Sequence, residues 1–299
     1  MLARKLFPLG LFAVFAAMLS VGLLAAADEK TLYKKQSKYS TIMVTDDDAG
    51  LRTLWFEENG ARQSVVKVGD PDHLELAYAR VAPVGLAFVP KPQRVLIVGL
   101  GGGTIPMFLH KHYPKTTIDV VDIDPDVVDV AKRFFGFRED ATLRAHVDDG
   151  RRFIENCRNP YDVIFLDAFS SENIPYHLAT REFLQAVRKA LTPRGAVVGN
   201  IWSRGSNPLY DSMVLTYRDV FAELYLFDVR RAGNEILVGL PRRQAVDREG
   251  LARRASEIAK EKSFRFDLGG AVEYGFRRPP DDEVRGRVLL DKEKPKERD

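Results

Sequence analysis

The chain has 299 residues, 45 Lys plus Arg against 42 Asp plus Glu, 45% hydrophobic residues and one cysteine. That is enough apolar material for a sizeable core, and it excludes a disordered chain, a disulfide scaffold and a collagen-like fibre. Without Arg4 and Lys5, which lie in a leader, the balance is 43 against 42, a net of +1, so charge implies no nucleic-acid partner.

The leader comes first in chain order. Met1 to Lys5 is short and basic, Leu6 to Leu24 is nearly all apolar, and Ala25-Ala26-Ala27 precedes Asp28. Basic, apolar and small-residue regions in that order read as a Sec-type signal peptide over 1–27. The alternative is an uncleaved membrane anchor, because the apolar run approaches the roughly 20 residues of a spanning helix. Either reading puts the body outside the cytosol, periplasmic or secreted, with membrane contact only if the leader is retained. The lone Cys157 has no partner for an internal disulfide and reads as a small apolar filler.

From Tyr39 to Val68 apolar and polar residues alternate, broken by Asp46-Asp47-Asp48-Ala49-Gly50 and by Glu58-Asn59-Gly60. Two turn signals between alternating runs predict a small antiparallel β-meander. From Leu74 to Phe88 the spacing of Leu74, Ala77, Tyr78, Val81 and Leu86 predicts a linking helix, ended by Lys91-Pro92. Short apolar runs then alternate with helical segments, at Val95 to Val98, Ile118 to Val121, Leu143 to Val147, Val163 to Leu166 and Ala196 to Val198. This is the pattern of a parallel sheet covered on both faces. Phe221 to Val229 and Glu235 to Leu240, around Ala232-Gly233-Asn234, predict a closing antiparallel hairpin, and the charged end from Lys292 reads as a solvated tail.

Such sheets bind ligands at the carboxyl ends of their strands. After the first strand stands Gly99-Leu100-Gly101-Gly102-Gly103-Thr104, whose glycines allow a tight turn and close approach to a ligand at a helix N-terminus. Asp122, 23 residues beyond Gly99, ends the second strand where a carboxylate would accept hydrogen bonds from both ribose hydroxyls. Asp149 and Asp167 follow the third and fourth strands. Each acid alone also reads as a helix cap or turn residue. Their coincidence at successive strand ends outlines a nucleoside pocket, with Asp149 on an adenine amino group and Asp167 facing the reaction centre. No metal site is expected: His110 and His112 are two apart on a helix and point to different faces. His146 reads as packed or solvated, Trp202 and Ser203 as residues bordering the pocket after the fifth strand, and Arg151-Arg152 and Arg242-Arg243 as solvated faces.

VLIVGLGGGT, VVDIDP, VDDGRRF and YDVIFLDAFSSENIPYHLATREFL together resemble the spermidine synthase family of polyamine aminopropyltransferases, and most closely its bacterial spermidine-synthase-like proteins. NGARQS resembles the family's DGxxQ strand and GRVLLD a common ending. The resemblance implies a small N-terminal antiparallel β-domain over 28–72. It implies a Rossmann-like domain with the class I methyltransferase fold over 73–285 and a charged tail over 286–299. It also implies transfer of an aminopropyl group from decarboxylated S-adenosylmethionine to an amine such as putrescine, releasing methylthioadenosine, with no permanently bound cofactor and with a homodimer as the assembly. Residue by residue it makes Gln63, Gly99, Gly101, Gly103, Asp122 and Asp149 donor contacts and Asp167 the general base. An ammonium is no nucleophile, so a carboxylate must hold the amine and take its proton as nitrogen attacks the carbon beside the sulfonium.

Three departures bear on the acceptor and the donor's amine. The family's GGGDG is here Gly99-Leu100-Gly101-Gly102-Gly103; the second acid of its DSSDP falls near Ser170 or Ser171, with Glu172 just beyond; and its YHE becomes Leu74 to Tyr78. Acceptor contacts are therefore expected from Ser170, Glu172, His177 and Tyr78. Two rival functions share this fold: an S-adenosylmethionine-dependent methyltransferase, and a non-catalytic exported nucleoside-binding protein.

Overall fold

The computed structural model describes residues 29–169, 174–279 and 285–293; the leader lies outside the described residues. The chain opens with a four-stranded antiparallel sheet in sequence order, β1 (Lys30–Gln36), β2 (Thr41–Asp46), β3 (Leu51–Trp55) and β4 (Arg62–Lys67). The alternation in β2 to β4 turns Ile42, Val44, Leu54 and Val66 into the core. The two turn signals become the β2–β3 and β3–β4 connections. β1 extends the expected meander by one strand at its edge, and its KTLYKKQ sequence is mostly exposed.

The expected linking helix is shorter than its spacing suggests. α1 spans Ala77–Val81 only, and the chain tightens into a 3₁₀ turn over Ala82–Ala87, with Pro83 in its first turn. Proline has no N–H for an α-helical bond and its ring crowds the preceding turn. The segment is still fully buried, and Gly85 is there because a Cβ would stand 2.3 Å from Val198.

The main sheet has eight strands in the order β12-β10-β11-β9-β8-β5-β6-β7. β5 (Arg94–Val98), β6 (Thr117–Asp122), β7 (Leu143–Val147), β8 (Tyr161–Leu166) and β9 (Leu191–Trp202) run parallel. β10 (Glu223–Asp228), β11 (Asn234–Leu240) and the short β12 (Phe276–Arg277) close it antiparallel. Successive residues feed opposite faces: Val95 and Ile97 join one buried cluster, Leu96 and Val98 the other. That two-sided burial is why the central strands β5 and β8 carry apolar runs. The crossovers are α2 (Thr104–His112), α3 (Pro125–Phe134), α4 (Gly150–Glu155), α5 (Arg181–Ala190) and α6 (Tyr210–Val220); α7 (Arg248–Glu261) and α8 (Leu268–Gly275) follow β11. Caps fix their starts: Asp124 accepts from Asp126 N before Pro125, and Thr180 caps α5, which buries Phe183, Leu184 and Val187.

The small sheet is tied to the large domain by polar contacts. Ser37 Oγ donates to Asp124 Oδ2 at 2.5 Å, and Arg52 Nη1 to the Phe134 carbonyl at 2.7 Å. At the other end, residues 285–293 form a strap on the large domain, while the rest of the charged tail lies outside the described residues. Leu289 is buried at 2% exposure, its carbonyl accepts from Arg181 N, and Asp291 takes two bonds from Arg151 and one from Thr180 Oγ1, each 2.7 Å. Arg151 is thus no solvated side chain: it joins the start of α4 to the strap. Arg242 is likewise engaged, donating to the Gly195 carbonyl. His110 and His112 do part company, the first meeting Thr142 and the second Asp72, and His146 packs on Phe153 and bonds Asp119.

Candidate active site

β5 leads to β6 and β7 on one side of the sheet while β8 and β9 lie on the other, so the chain reverses its direction of progress between β5 and β8. A parallel sheet leaves a crevice at such a point, beyond its strand ends. A cavity of about 360 Å³ occupies it, lined by Gln63, Gly99, Gly101, Asp122, Asp149 and Asp167 among others. This volume suits a nucleoside-sized ligand.

The floor is the glycine loop. Gly99, at φ +101°, is held by its N–H on the Val121 carbonyl, and a Cβ there would lie 2.3 Å from the Asp167 carbonyl oxygen. The backbones of two strand ends meet where only glycine fits. Gly101 also has a positive φ and lines the cavity. Gly103 does not line it: it caps α2 in the left-handed region, and the space beside it is filled by Phe137. The small sheet supplies a wall. Gln63 faces the cavity, and Ser64 Oγ meets Thr104 Oγ1 at 2.8 Å, pinning β4 to the loop. A Cβ at Gly102 would stand 2.7 Å from Phe135 and 2.9 Å from Ser64 Oγ, so the position where the resembling family has an acid is closed to any side chain as this wall is packed.

The three acids divide the cavity. Asp122 ends β6, and its oxygens accept from Leu100 N at 2.8 Å and Asp124 N at 3.0 Å. Burial raises its pKa, against the opposing pull of those N–H groups. Each oxygen keeps a lone pair for a ligand hydroxyl. Asp149 caps α4 through Arg152 N at 2.9 Å and meets His177 Nε2 at 2.9 Å. Burial opposes its ionisation, yet the Arg152 N–H and His177 hold its pKa below the ordinary value. One carboxyl group therefore both caps α4 and lines the cavity. His177, expected as an acceptor contact, lines the same cavity and stands beside Asp149.

Asp167 follows β8 and is only partly exposed, into the cavity. Burial lifts its pKa to about 7, against the stabilising hydrogen bonds of Asn200 and Tyr78. Asn200 Nδ2 donates to Oδ1 at 2.8 Å and the Tyr78 hydroxyl to Oδ2 at 3.2 Å. The Tyr78 phenol, buried and beside a carboxylate, is pushed well above its usual value and stays a donor. Phe169 extends the wall, set edge-on against Trp202 at 5.7 Å. Trp202 is the last residue of β9 rather than a residue after it, and Ser203 turns its N–H to the Gly233 carbonyl. Ser170 and Glu172 lie outside the described residues.

Sequence reasoning had not marked Asn200, Ser64 or Thr104. Asn200 carried a signal: it is a lone amide inside the apolar stretch Ala196 to Trp202 and is 4% exposed. A buried amide must be partnered, and its partner is the acid at the end of the adjacent strand.

The model of the spermine/spermidine synthase domain matches residues 76–230. The chain is 36% identical over 253 residues to the polyamine aminopropyltransferase of Vibrio vulnificus (strain CMCP6), an overlap of 81% of this chain and 83% of that one. Among solved structures, a probable spermidine synthase from Corynebacterium glutamicum ATCC 13032 shares its fold, with a TM-score of 0.65 at 23% identity over 77% of this chain and 93% of that one. Human methyltransferase-like protein 13, solved in complex with SAH, matches with a TM-score of 0.51 at 30% identity, over 69% of this chain and 92% of that one.

Proposed function

The chain belongs to the spermine/spermidine synthase family, and from that premise we propose that it transfers an aminopropyl group from decarboxylated S-adenosylmethionine to an amine such as putrescine. The observation that carries this reading is Asp167, a carboxyl poised near neutrality at a strand end, across one cavity from Asp122 and Asp149. A donor with its ribose on Asp122 and its adenine towards Asp149 brings its sulfonium to the Asp167 end. There the carboxylate holds the incoming amine and accepts its proton as the N–C bond forms. The C–S bond breaks with its electrons on sulfur, which leaves as the neutral thioether methylthioadenosine. Positioning supplies most of the acceleration, because a sulfonium is already a good leaving group.

A second reading, methyl transfer from intact S-adenosylmethionine, is favoured by one feature. The wall at Gly102 leaves no room for the acid that the resemblance places against the donor's amine, and a matching methyltransferase is known with SAH. Product analysis on the full chain, with either donor and a panel of amines, separates the readings. Methylthioadenosine formed from the decarboxylated donor is expected. S-adenosylhomocysteine instead means methyl transfer, and tight methylthioadenosine binding with no product from any mixture means a non-catalytic binding protein. Asp167→Asn is expected to keep donor affinity and to lose turnover by roughly 10² to 10⁴; unchanged turnover would remove Asp167 from the chemistry.

Export is part of the proposal. The ordered basic, apolar and small-residue regions of the leader support a mature protein beginning at or near Asp28. N-terminal sequencing from the native host checks it, and an intact Met1 in a soluble cytosolic fraction would refute it.

A further inference from the structure

Asp167 is the near end of a longer chain of hydrogen bonds. Asn200 gives its Nδ2 to Asp167, and its own Oδ1 accepts from Asn234 Nδ2 at 3.0 Å. Asn234 opens β11, pairs across the ladder with Trp202, and so lies diagonally from Asn200 on the same face of the sheet. The two ends of an amide are nearly equal in shape and opposite in chemistry, so the neighbours decide which way Asn200 points. An ionised carboxylate only accepts, whereas a protonated one also donates. With Asn234 donating to the Asn200 carbonyl, the end left for Asp167 is the NH₂, the partner of a charged carboxylate. Turned about, Asn200 would offer its carbonyl, which suits only the protonated acid.

We propose that Asn234 is a positioning residue that holds the Asn200 amide in one orientation and thereby keeps Asp167 in its charged, amine-accepting form. The proposal rests on the reading of Asp167 as the group that takes the amine's proton. One other side chain bonds Asp167. The Tyr78 hydroxyl, from α1, donates to its second oxygen, and Asn200 is neutral. Glu235, next to Asn234, points to the other side of the sheet, where Tyr210 and Arg277 each meet it at 2.7 Å. The leverage comes from the balance at the site: with a midpoint of about 7, a small bias decides the charge at neutral pH.

The test is a carboxyl ¹³C titration of the full chain labelled at aspartate, with Asp167→Asn identifying the resonance. The parent is expected to titrate near 7. Asn234→Leu keeps the volume and removes the donor, so the midpoint should rise by roughly one pH unit, the scale on which a hydrogen bond biases a carboxyl group. Asn234→Asp, close in shape, draws the Asn200 NH₂ to itself and should raise the midpoint further; it carries the test if the leucine variant fails to fold. A one-unit rise lowers the charged fraction at pH 7 about fivefold. Turnover should fall by the same factor and recover at pH 9, with donor affinity unchanged. Unmoved midpoints in both variants overturn the proposal, as does a loss of turnover that alkaline pH does not restore. If the midpoints move but the parent transfers nothing to any amine, the relay stands and the reading of the reaction falls.

Discussion

Replacing Asp167 by Asn should make the protein more stable as well as inactive. In the folded chain burial carries this carboxyl from its ordinary 3.8 to about 7, so folding disfavours its charge. A gap of about three units corresponds to a ceiling of ~4 kcal/mol. The carboxyl keeps two donors and opens on a cavity that water enters, which reduces the expected gain to about 1 to 3 kcal/mol. Asn keeps the Asn200 bond, its carbonyl accepting from the Asn200 NH₂, while its own NH₂ meets the Tyr78 oxygen and the Tyr78 O–H must turn to the cavity for an acceptor.

The sign follows from proton binding. Below 3.8 both states are protonated and the group contributes nothing. Between 3.8 and 7 the unfolded chain releases its proton while the folded chain retains it, so the parent loses stability as pH rises and levels off above 7. Scanning calorimetry should therefore find parent and variant melting together near pH 4. By pH 8 the variant should lead by roughly 2 to 12 °C, from about 2 to 4 °C per kcal/mol in a chain of this size. An equal offset at both pH values, or no gain at pH 8, would refute the account of Asp167 as a charge held against its environment.

Asp149→Ala removes a helix cap and a pocket acceptor together, so methylthioadenosine affinity should fall by about 1 to 3 kcal/mol in titration calorimetry and stability by about 1 kcal/mol; parental affinity would refute its place in the site. Gly99→Ala drives a Cβ against the Asp167 carbonyl at φ +101° and should cost more than about 2 kcal/mol in denaturant unfolding. Gly50→Ala, also at positive φ but with open space around it, should cost only about 1 kcal/mol, and equal losses at the two positions would refute the packing argument.

The parallel sheet was legible because both of its faces are buried, so β5, β6 and β8 are dominated by apolar residues. The acids were legible for a related reason: Asp122, Asp149 and Asp167 interrupt the chain just where apolar runs end. β1 was not, because an edge strand takes one partner and leaves Lys30, Lys34 and Lys35 in water, blurring the alternation. α7 lines its core face largely with small residues, Ala252, Ala255 and Ala259 beside Leu251 and Ile258, a stripe with little hydrophobic contrast. The linking helix was overextended because spacing continued through Pro83 while the backbone could not. His177 meets Asp149 rather than Asp167, because closeness in sequence says nothing about which strand end a side chain will reach. Asn200 and Asn234 are 34 residues apart and meet only by strand pairing, a contact invisible to any local pattern.

The bond between Arg151 and Asp291 spans 140 residues. A loop of that length is costly to close before the intervening sheet is in place, so this contact should be among the last to form. Arg151 stands two residues from Asp149, which means that the Asp149 side of the pocket is braced by a segment far downstream in the chain. During synthesis the strands could assemble in order while that wall stayed loose, and the pocket would tighten only after the strap had emerged and docked. Donor bound at the finished site would in turn favour the docked strap, coupling occupancy of the pocket to protection of residues 285–293 from proteolysis.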